Sequence, residues 1–198
     1  MCQYRKSLIA ILHFDSTETI NPSTDIYLSN FASKPLFRIS KSGFSFFSDE
    51  QLHTILTQVR QFVRDFVVVL IHTGLRAGEL QRLQWTNIDV KNRTLMIELS
   101  KSHKFWAIPI NDTLHKHLLC LKSKAKKGQI YIFSRSEPGT QYSDLSHAFS
   151  RELKRIGIKG TLHMLRHTFA SKLVQRSVNI YFVKELLGHR LVSIRMNK

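Results

Sequence analysis

Cysteines and long apolar runs are both scarce in this sequence, and each scarcity excludes a class of protein. The 198-residue chain has two cysteines, Cys2 and Cys120, whose separation fits neither a disulfide framework nor the ligand spacing of a zinc site. The longest apolar run, Phe66 to Ile71, is far shorter than the roughly 20 residues that cross a bilayer. Residues 1–14 contain the stretch LIAIL but no small-residue cleavage site of a signal peptide. We therefore expect a soluble protein of the reducing cytoplasm, without a membrane partner.

Acidic residues are also few. Fourteen Asp and Glu oppose 30 Lys and Arg, which gives a formal net charge of +16, and the basic residues are spread along the chain. Such an imbalance costs a folded chain self-repulsion, so it favours a polyanionic partner, most simply nucleic acid. With 42% hydrophobic residues, the chain is long enough for one globular domain with a core.

Helical patterns dominate the first half of the chain. Residues 1–14 have apolar side chains at helical spacing, and residues 15–47 are rich in Ser, Thr and Pro, as in an extended linker. Ser48 followed by Gln51 is the pattern of a capping box, which predicts that a helix starts there. We expect this helix to continue through FVVVLIHTG and to end at Gly74.

The remaining patterns predict one small sheet among helices. A short helix is expected over residues 75–83, and three further segments have the composition of short strands joined by turns: 85–89, 94–99 and 105–110. Asp112 is the predicted cap of a helix to about residue 121, and later helices are expected over 143–156, 162–176 and 179–187. The fold class is therefore mainly α (α+β), with a three-stranded antiparallel sheet.

Two sequence blocks resemble the signatures of the tyrosine recombinases, the phage integrase family. The first is HTGLRAGELQRLQWTNID, at residues 72–89, and the second is HMLRHTFASKLV, at 163–174, followed by LLGH at 186–189. The resemblance implies a DNA-breaking and rejoining catalytic domain that needs no metal or other cofactor. By position it implies a catalytic set that we expect to converge in one basic cleft, supported by Glu79: Arg76, Lys101, His163, Arg166 and His189.

The chemistry of these residue types agrees with cleavage of a phosphodiester. Two guanidinium groups, those of Arg76 and Arg166, can hold the nonbridging oxygens with forked hydrogen bonds. His163 lies three residues before Arg166, so one helix face would present both. Lysine and histidine can move protons at the leaving oxygen near neutral pH. Lys104 is a rival of Lys101 for the lysine role, and His167 is expected to pack rather than to catalyse.

The nucleophile is the member of the family pattern that this sequence lacks. The resemblance implies an attacking tyrosine nine residues after the last histidine, a position that Lys198 occupies. Without it the DNA-linked 3′-phosphotyrosine cannot form there, so we expect this copy to be inactive. Tyr131, Tyr142 and Tyr181 are poor substitutes, because their patterns place them in a strand, a loop and a packed helix.

The resemblance also implies a domain plan and a partner. Residues 1–20 would be the last helix of a core-binding domain, 21–47 a linker, and 48–198 a C-terminally truncated catalytic domain that lacks its last helix. Double-stranded DNA is the expected partner, with self-association on DNA weakened by the loss of that helix. The alternative is a non-catalytic DNA-binding module derived from an integrase.

Overall fold

The computed structural model, which describes residues 45–98, 105–134 and 139–188, consists mainly of helices with one small sheet. Within these ranges the α-helices are α1 (Asp49–Gln58), α2 (Gln61–Thr73), α3 (Ala77–Gln81), α4 (Asp112–Lys124), α5 (Leu145–Arg155), α6 (Leu162–Gln175) and α7 (Ile180–Leu186). The strands are β1 (Ile88–Asp89), β2 (Thr94–Glu98) and β3 (Phe105–Pro109), antiparallel in the order β1-β2-β3. The predicted mainly helical α+β class is confirmed. The helix predicted over residues 1–14 lies outside the described residues.

The start of the first helix is confirmed, but its predicted length is wrong. The hydroxyl of Ser48 accepts a hydrogen bond from the Gln51 backbone N–H, and the Gln51 side chain accepts one from the Ser48 backbone N–H. The chain then becomes extended at Val59 and Arg60, which separates α1 from α2. Side chains satisfy the backbone groups at this break: Glu152 accepts from the Arg60 backbone N–H, and Arg64 and Arg155 donate to carbonyl oxygens of residues 57–59.

Helix α2 is the centre of the domain and packs against α1, α4, α5 and α6. Its run Phe66–Ile71 is apolar on all sides, as expected of a helix segment packed against several other elements. The buried members of this run are Phe66, Val67, Val69, Leu70 and Ile71. Burial outweighs the β-branched composition, since each such side chain contributes about 1.5–3 kcal/mol when removed from water. The prediction of helix for FVVVLI is therefore confirmed.

Several predicted boundaries differ from those observed. Asn111, and not Asp112, caps α4, because its side-chain oxygen accepts the Leu114 backbone N–H at 2.8 Å. Helix α4 also runs on to Lys124, three residues beyond its predicted end at about residue 121. The first predicted strand is mostly a 3-10 turn, Trp85–Asn87, followed by the two residues of β1.

The first described residues are fixed against α6. The backbone N–H of Phe47 donates to the hydroxyl of Thr168 at 3.0 Å, and its ring is buried beside Gly160, just before α6. Asp49 pairs with Lys172 on the same helix. Phe47 and Asp49 are thus held against α6, the helix that carries His163 and Arg166. Among the described residues, no helix has the length and apolar character to span a membrane.

Candidate active site

Among the members of the predicted set that the structure describes, Arg166 is the most buried, with 4% of its surface exposed. Its Nη1 donates to the Gly74 carbonyl oxygen at 2.7 Å, and its Nη2 donates to the Leu187 carbonyl oxygen at 2.6 Å. Burial, and next the charge of Arg76, lower the pKa of Arg166 to about 10, while Glu79 opposes the shift. The guanidinium therefore stays charged at neutral pH, in an orientation fixed by two backbone carbonyls.

Gly74 makes this arrangement possible through its backbone. It ends α2 with a φ of +66°, in the left-handed region that favours glycine, so that the chain turns towards α3. A Cβ atom at this position would lie 2.4 Å from Cδ1 of Phe169 and 2.8 Å from Cδ2 of Leu187. The carbonyl that orients Arg166 thus comes from a turn that has no room for a side chain.

Arg76 and Arg166 flank a single carboxylate, that of Glu79. Arg76 lies directly before α3, where its backbone N–H donates to Oε2 of Glu79 at 2.7 Å and its Nη1 donates to Oε1 at 2.8 Å. The Nη1 atom of Arg166 lies 4.0 Å from Oε2, at the outer limit of an ion pair. The Arg76 side chain is 44% exposed, against 5% for Arg166. One guanidinium is therefore well exposed, whereas the other is almost fully buried.

His163 and His167 form a contact that the sequence did not predict. Their rings meet edge to face with centroids 4.6 Å apart, on the helix that bears Arg166. His163 is exposed and His167 is half-buried. Burial, and next the neighbouring His163 and Arg166, lower the pKa of His167. His167 is therefore placed to support the His163 ring, and this geometry agrees with the expectation that it packs.

The structure describes only some of the other predicted site residues. Lys101, its rival Lys104, His189 and Lys198 lie outside the described residues. Of the three alternative tyrosines, Tyr142 packs against Phe62 with ring centroids 4.6 Å apart, and Tyr131 forms an isolated β-bridge with Gln84. Tyr181 lies on α7 as predicted and is 64% exposed, so the expectation that it packs in the core is wrong.

Two acceptors of the site were missed by the sequence analysis, namely the carbonyl oxygens of Gly74 and Leu187. A backbone carbonyl has the same chemistry at every residue, so no sequence pattern marks it as the partner of Arg166. The indirect signals are Gly74, which the sequence did predict as a helix end, and the short LLG segment. The charge of the assembled groups is positive, since two arginines share one carboxylate, and such a site can hold an anion.

A profile of the phage integrase family matches residues 45–197. Tyrosine recombinase XerA of Saccharolobus solfataricus is 27% identical over 157 residues, which cover 79% of this chain and 52% of that protein. A putative tyrosine recombinase XerC of Pseudomonas syringae is 32% identical over 139 residues, covering 63% of this chain and 29% of that protein. The chain thus spans about half the length, or less, of these relatives.

Solved structures share the fold. The integrase of the Tn1549 transposon, in complex with a circular intermediate DNA, superposes with a TM-score of 0.66 at 20% identity, over 77% of this chain and 60% of that one. A crystal structure of XerA recombinase superposes with a TM-score of 0.62 at 24% identity, over 73% of this chain and 56% of that one. A lambda integrase dimer bound to a core site superposes with a TM-score of 0.61 at 23% identity, over 75% of this chain and 46% of that one.

Proposed function

Because the chain belongs to the phage integrase family, we propose that it binds double-stranded DNA as the catalytic domain of a site-specific recombinase. The scissile phosphate would lie against the guanidinium groups of Arg76 and Arg166. Residues 48–198 would form this domain, joined through residues 21–47 to what precedes it. The solved integrases of the same fold that are bound to DNA support the choice of partner.

One observation carries the proposal: two arginines from blocks 90 residues apart in sequence flank the same carboxylate. Glu79 binds the Arg76 backbone and side chain, and it lies 4.0 Å from Arg166. An arginine that only stabilised its own helix would not need a second, buried guanidinium beside it, because two like charges repel. A phosphate with two nonbridging oxygens offsets that repulsion and matches the forked donors.

The transition state of phosphodiester cleavage gives each group a task. Negative charge grows on the nonbridging oxygens, and a donor already fixed in place stabilises it without reorganisation. The carbonyl oxygens of Gly74 and Leu187 fix Arg166 in this way. His163, exposed one turn before Arg166, would donate a hydrogen bond to the same phosphate. Lys101 and His189 would move protons at the attacking and leaving oxygens.

Strand cleavage also needs an oxygen nucleophile, and we propose that this chain does not supply it. Lys198 occupies the position of the family tyrosine. A lysine ammonium carries no oxygen and is protonated near neutral pH, so it cannot form a phosphotyrosine. The alternative function, a DNA-binding module that occupies recombination sites without cutting, follows from the same residue. Both proposals require the phosphate site.

Duplex binding by arginine-to-lysine variants tests the proposed site. Replacing Arg76 with Lys keeps the charge but removes the forked donors, so R76K should weaken duplex affinity about tenfold, the effect of one lost charge-assisted hydrogen bond. Affinity is measured by fluorescence anisotropy across a salt series, because phosphate contacts give a steep dependence on salt.

Arg93 provides the matched control. Its side chain is 40% exposed and pairs with Asp112, much as that of Arg76 is 44% exposed and pairs with Glu79. R93K makes the same chemical change away from the site, and we expect it to bind duplex DNA as the wild type does. Equal affinities for R76K, R93K and the wild type would refute the phosphate site at Arg76.

A further inference from the structure

Trp106 lies on the core-facing side of the sheet, at the end where β3 begins. In the β2–β3 register Trp106 pairs with Ile97, and paired residues point to the same face. Ile97 is 5% exposed and belongs to the core, whereas Met96 and Ala107 face solvent on the other side. The segment 99–104, which contains Lys101, is the sequence connection between these two strands.

The indole ring of Trp106 rests against the backbone of Gly188. A Cβ atom at Gly188 would lie 3.1 Å from Cζ2, 3.2 Å from Cε2 and 3.4 Å from Cη2, three atoms of the six-membered ring. The φ of Gly188 is +63°, in the left-handed region. A side chain at this position would be strained by the positive φ and would force the ring to shift by a few tenths of an ångström, so the contact favours glycine. His189 is the next residue along the chain.

Leu187, the residue before Gly188, is contacted by two other parts of the domain. The Leu187 carbonyl oxygen accepts the hydrogen bond from Nη2 of Arg166, and the Leu187 side chain lies against Gly74. Helix α7 ends at Leu186 and packs against both α6 and β3. The sheet, the buried arginine and the end of α2 thus meet at Leu187 and Gly188, directly before His189.

We propose that Trp106 is a positioning residue that fixes Gly188, and through it the backbone leading into His189, relative to the strand that follows the Lys101 segment. The proposal rests on the proposed function, since Gly188 precedes His189 and β3 follows the Lys101 segment in sequence, and these two residues are the predicted proton-transferring groups. Trp106 itself touches no reacting atom. It acts by keeping the sheet and the end of α7 at a fixed separation.

If Trp106 only stabilised the fold, a substitution that kept the stability of the domain would have no effect on the site. Among the described residues, the Trp106 Nε1 atom is buried without a hydrogen-bond partner, which costs free energy. Phenylalanine would avoid that cost and still fill much of the space, but its smaller ring would withdraw from Gly188. W106F should therefore keep thermal stability while losing the contact with Gly188.

The test follows individual histidines by NMR in the whole chain. The imidazole Cε1–H signals are assigned with H163Q and H189Q, and are titrated with a short DNA duplex. In the wild type we expect both His163 and His189 to shift. In W106A and W106F the His189 shift should be largely lost, whereas the His163 shift should remain, because α6 holds His163 independently.

Trp85 is the matched control, since it is the other tryptophan of the chain, is also half-buried, and also has a buried Nε1 without a partner among the described residues. W85F should leave the His189 shift unchanged. G188A alters the same contact at Gly188 instead of at Trp106, and it should reduce the His189 shift as W106F does. This variant also provides a test if W106A fails to fold.

The outcomes separate this inference from the function on which it rests. If neither the His163 nor the His189 signal of the wild type shifts on addition of the duplex, and R76K binds the duplex as tightly as the wild type does, the proposed function fails. If the wild type responds and W106F shows the full His189 shift, the phosphate site stands and the positioning role of Trp106 is refuted. A loss of the His189 shift in W85F as large as in W106F would also refute it.

Discussion

The guanidinium of Arg166 donates a 2.7 Å hydrogen bond to the carbonyl oxygen of Gly74, a residue 92 positions earlier in the chain. This bond joins the two blocks that carry the family resemblance, one at the end of α2 and the other within α6. A hydrogen bond from a charged donor contributes about 1.5–3 kcal/mol, more than a neutral one. The buried arginine is thus both a predicted ligand of phosphate and a tie between two helices.

Truncation of Arg166 should therefore destabilise the domain as well as the site. R166A leaves the carbonyl oxygens of Gly74 and Leu187 without their donor, and we expect a loss of roughly 2–5 kcal/mol in the free energy of unfolding. The measurement is urea denaturation followed by circular dichroism. R76A, at the exposed partner of Glu79, should cost less than about 1 kcal/mol. Similar losses for the two variants would contradict the structural role of Arg166.

Substitution of Gly74 should be more damaging than its size suggests. G74A forces a side chain into a φ of +66° and places Cβ 2.4 Å from Phe169, so strain and overpacking add to about 2–5 kcal/mol. Gly128 has a φ of +79° but no atom within 4 Å of its Cβ position, so G128A isolates the backbone cost. Thermal and urea denaturation should rank G74A well below G128A. Equal losses would mean that the close contact with Phe169 has no energetic effect.

The stability of the domain should fall as the pH drops below about 6.5, because of His72. Its Nδ1 lies 2.8 Å from Nδ2 of Asn111, whose oxygen is already bound to the Leu114 backbone N–H, so the ring accepts the hydrogen bond and is neutral. Burial, and next the nearby His117, Arg176 and Lys172, lower the pKa of His72 to about 4. The unfolded chain binds a proton at a higher pH than the native state does. The cost grows from pH 6.5 to pH 4 and reaches on the order of 3 kcal/mol.

Urea denaturation at several pH values measures this slope. H72N keeps an acceptor for Asn111 but does not titrate, so its stability should be flatter between pH 6.5 and 4.5. H53N, at an exposed histidine, is the control and should retain the wild-type slope. Glu152 does not interfere in this window: burial raises its pKa, but hydrogen bonds from Arg155 and Arg60 outweigh burial and lower the pKa to about 2. Its contribution is lost only as the pH falls from about 4.5 towards 2. A slope for H72N as steep as that of the wild type would refute the role of His72.

The chain should form no covalent adduct with DNA. Arg76 and Arg166 stabilise a transition state that still requires an oxygen nucleophile in line with the leaving group. The assay incubates the protein with nicked suicide substrates and looks for a protein-linked strand on a denaturing gel. A strong adduct mapped to Tyr181, which is 64% exposed, would show that this tyrosine replaces the family nucleophile. A Y181F variant serves as the control for that outcome.

Local chemistry in the sequence determined several of the helices and strands of this protein. The capping box at Ser48, the helix end at Gly74 and the two short strands 94–98 and 105–109 follow from patterns of a few residues, which is why they were predicted correctly. The two signature blocks likewise pointed to Arg76, Glu79, His163 and Arg166 as site residues, and their catalytic roles stay predictions.

Tertiary structure alone decided the break between α1 and α2 and the partners of Arg166. Besides the nearby Arg64, the break is satisfied by Glu152 and Arg155, whose side chains come from almost a hundred residues away, so local propensity did not reveal it. Arg166 is oriented by two backbone carbonyls, which every residue possesses, and Trp106 meets Gly188 because folding brings β3 to the end of α7. Such contacts depend on how distant segments pack, and their free energy exists only once the whole domain has formed.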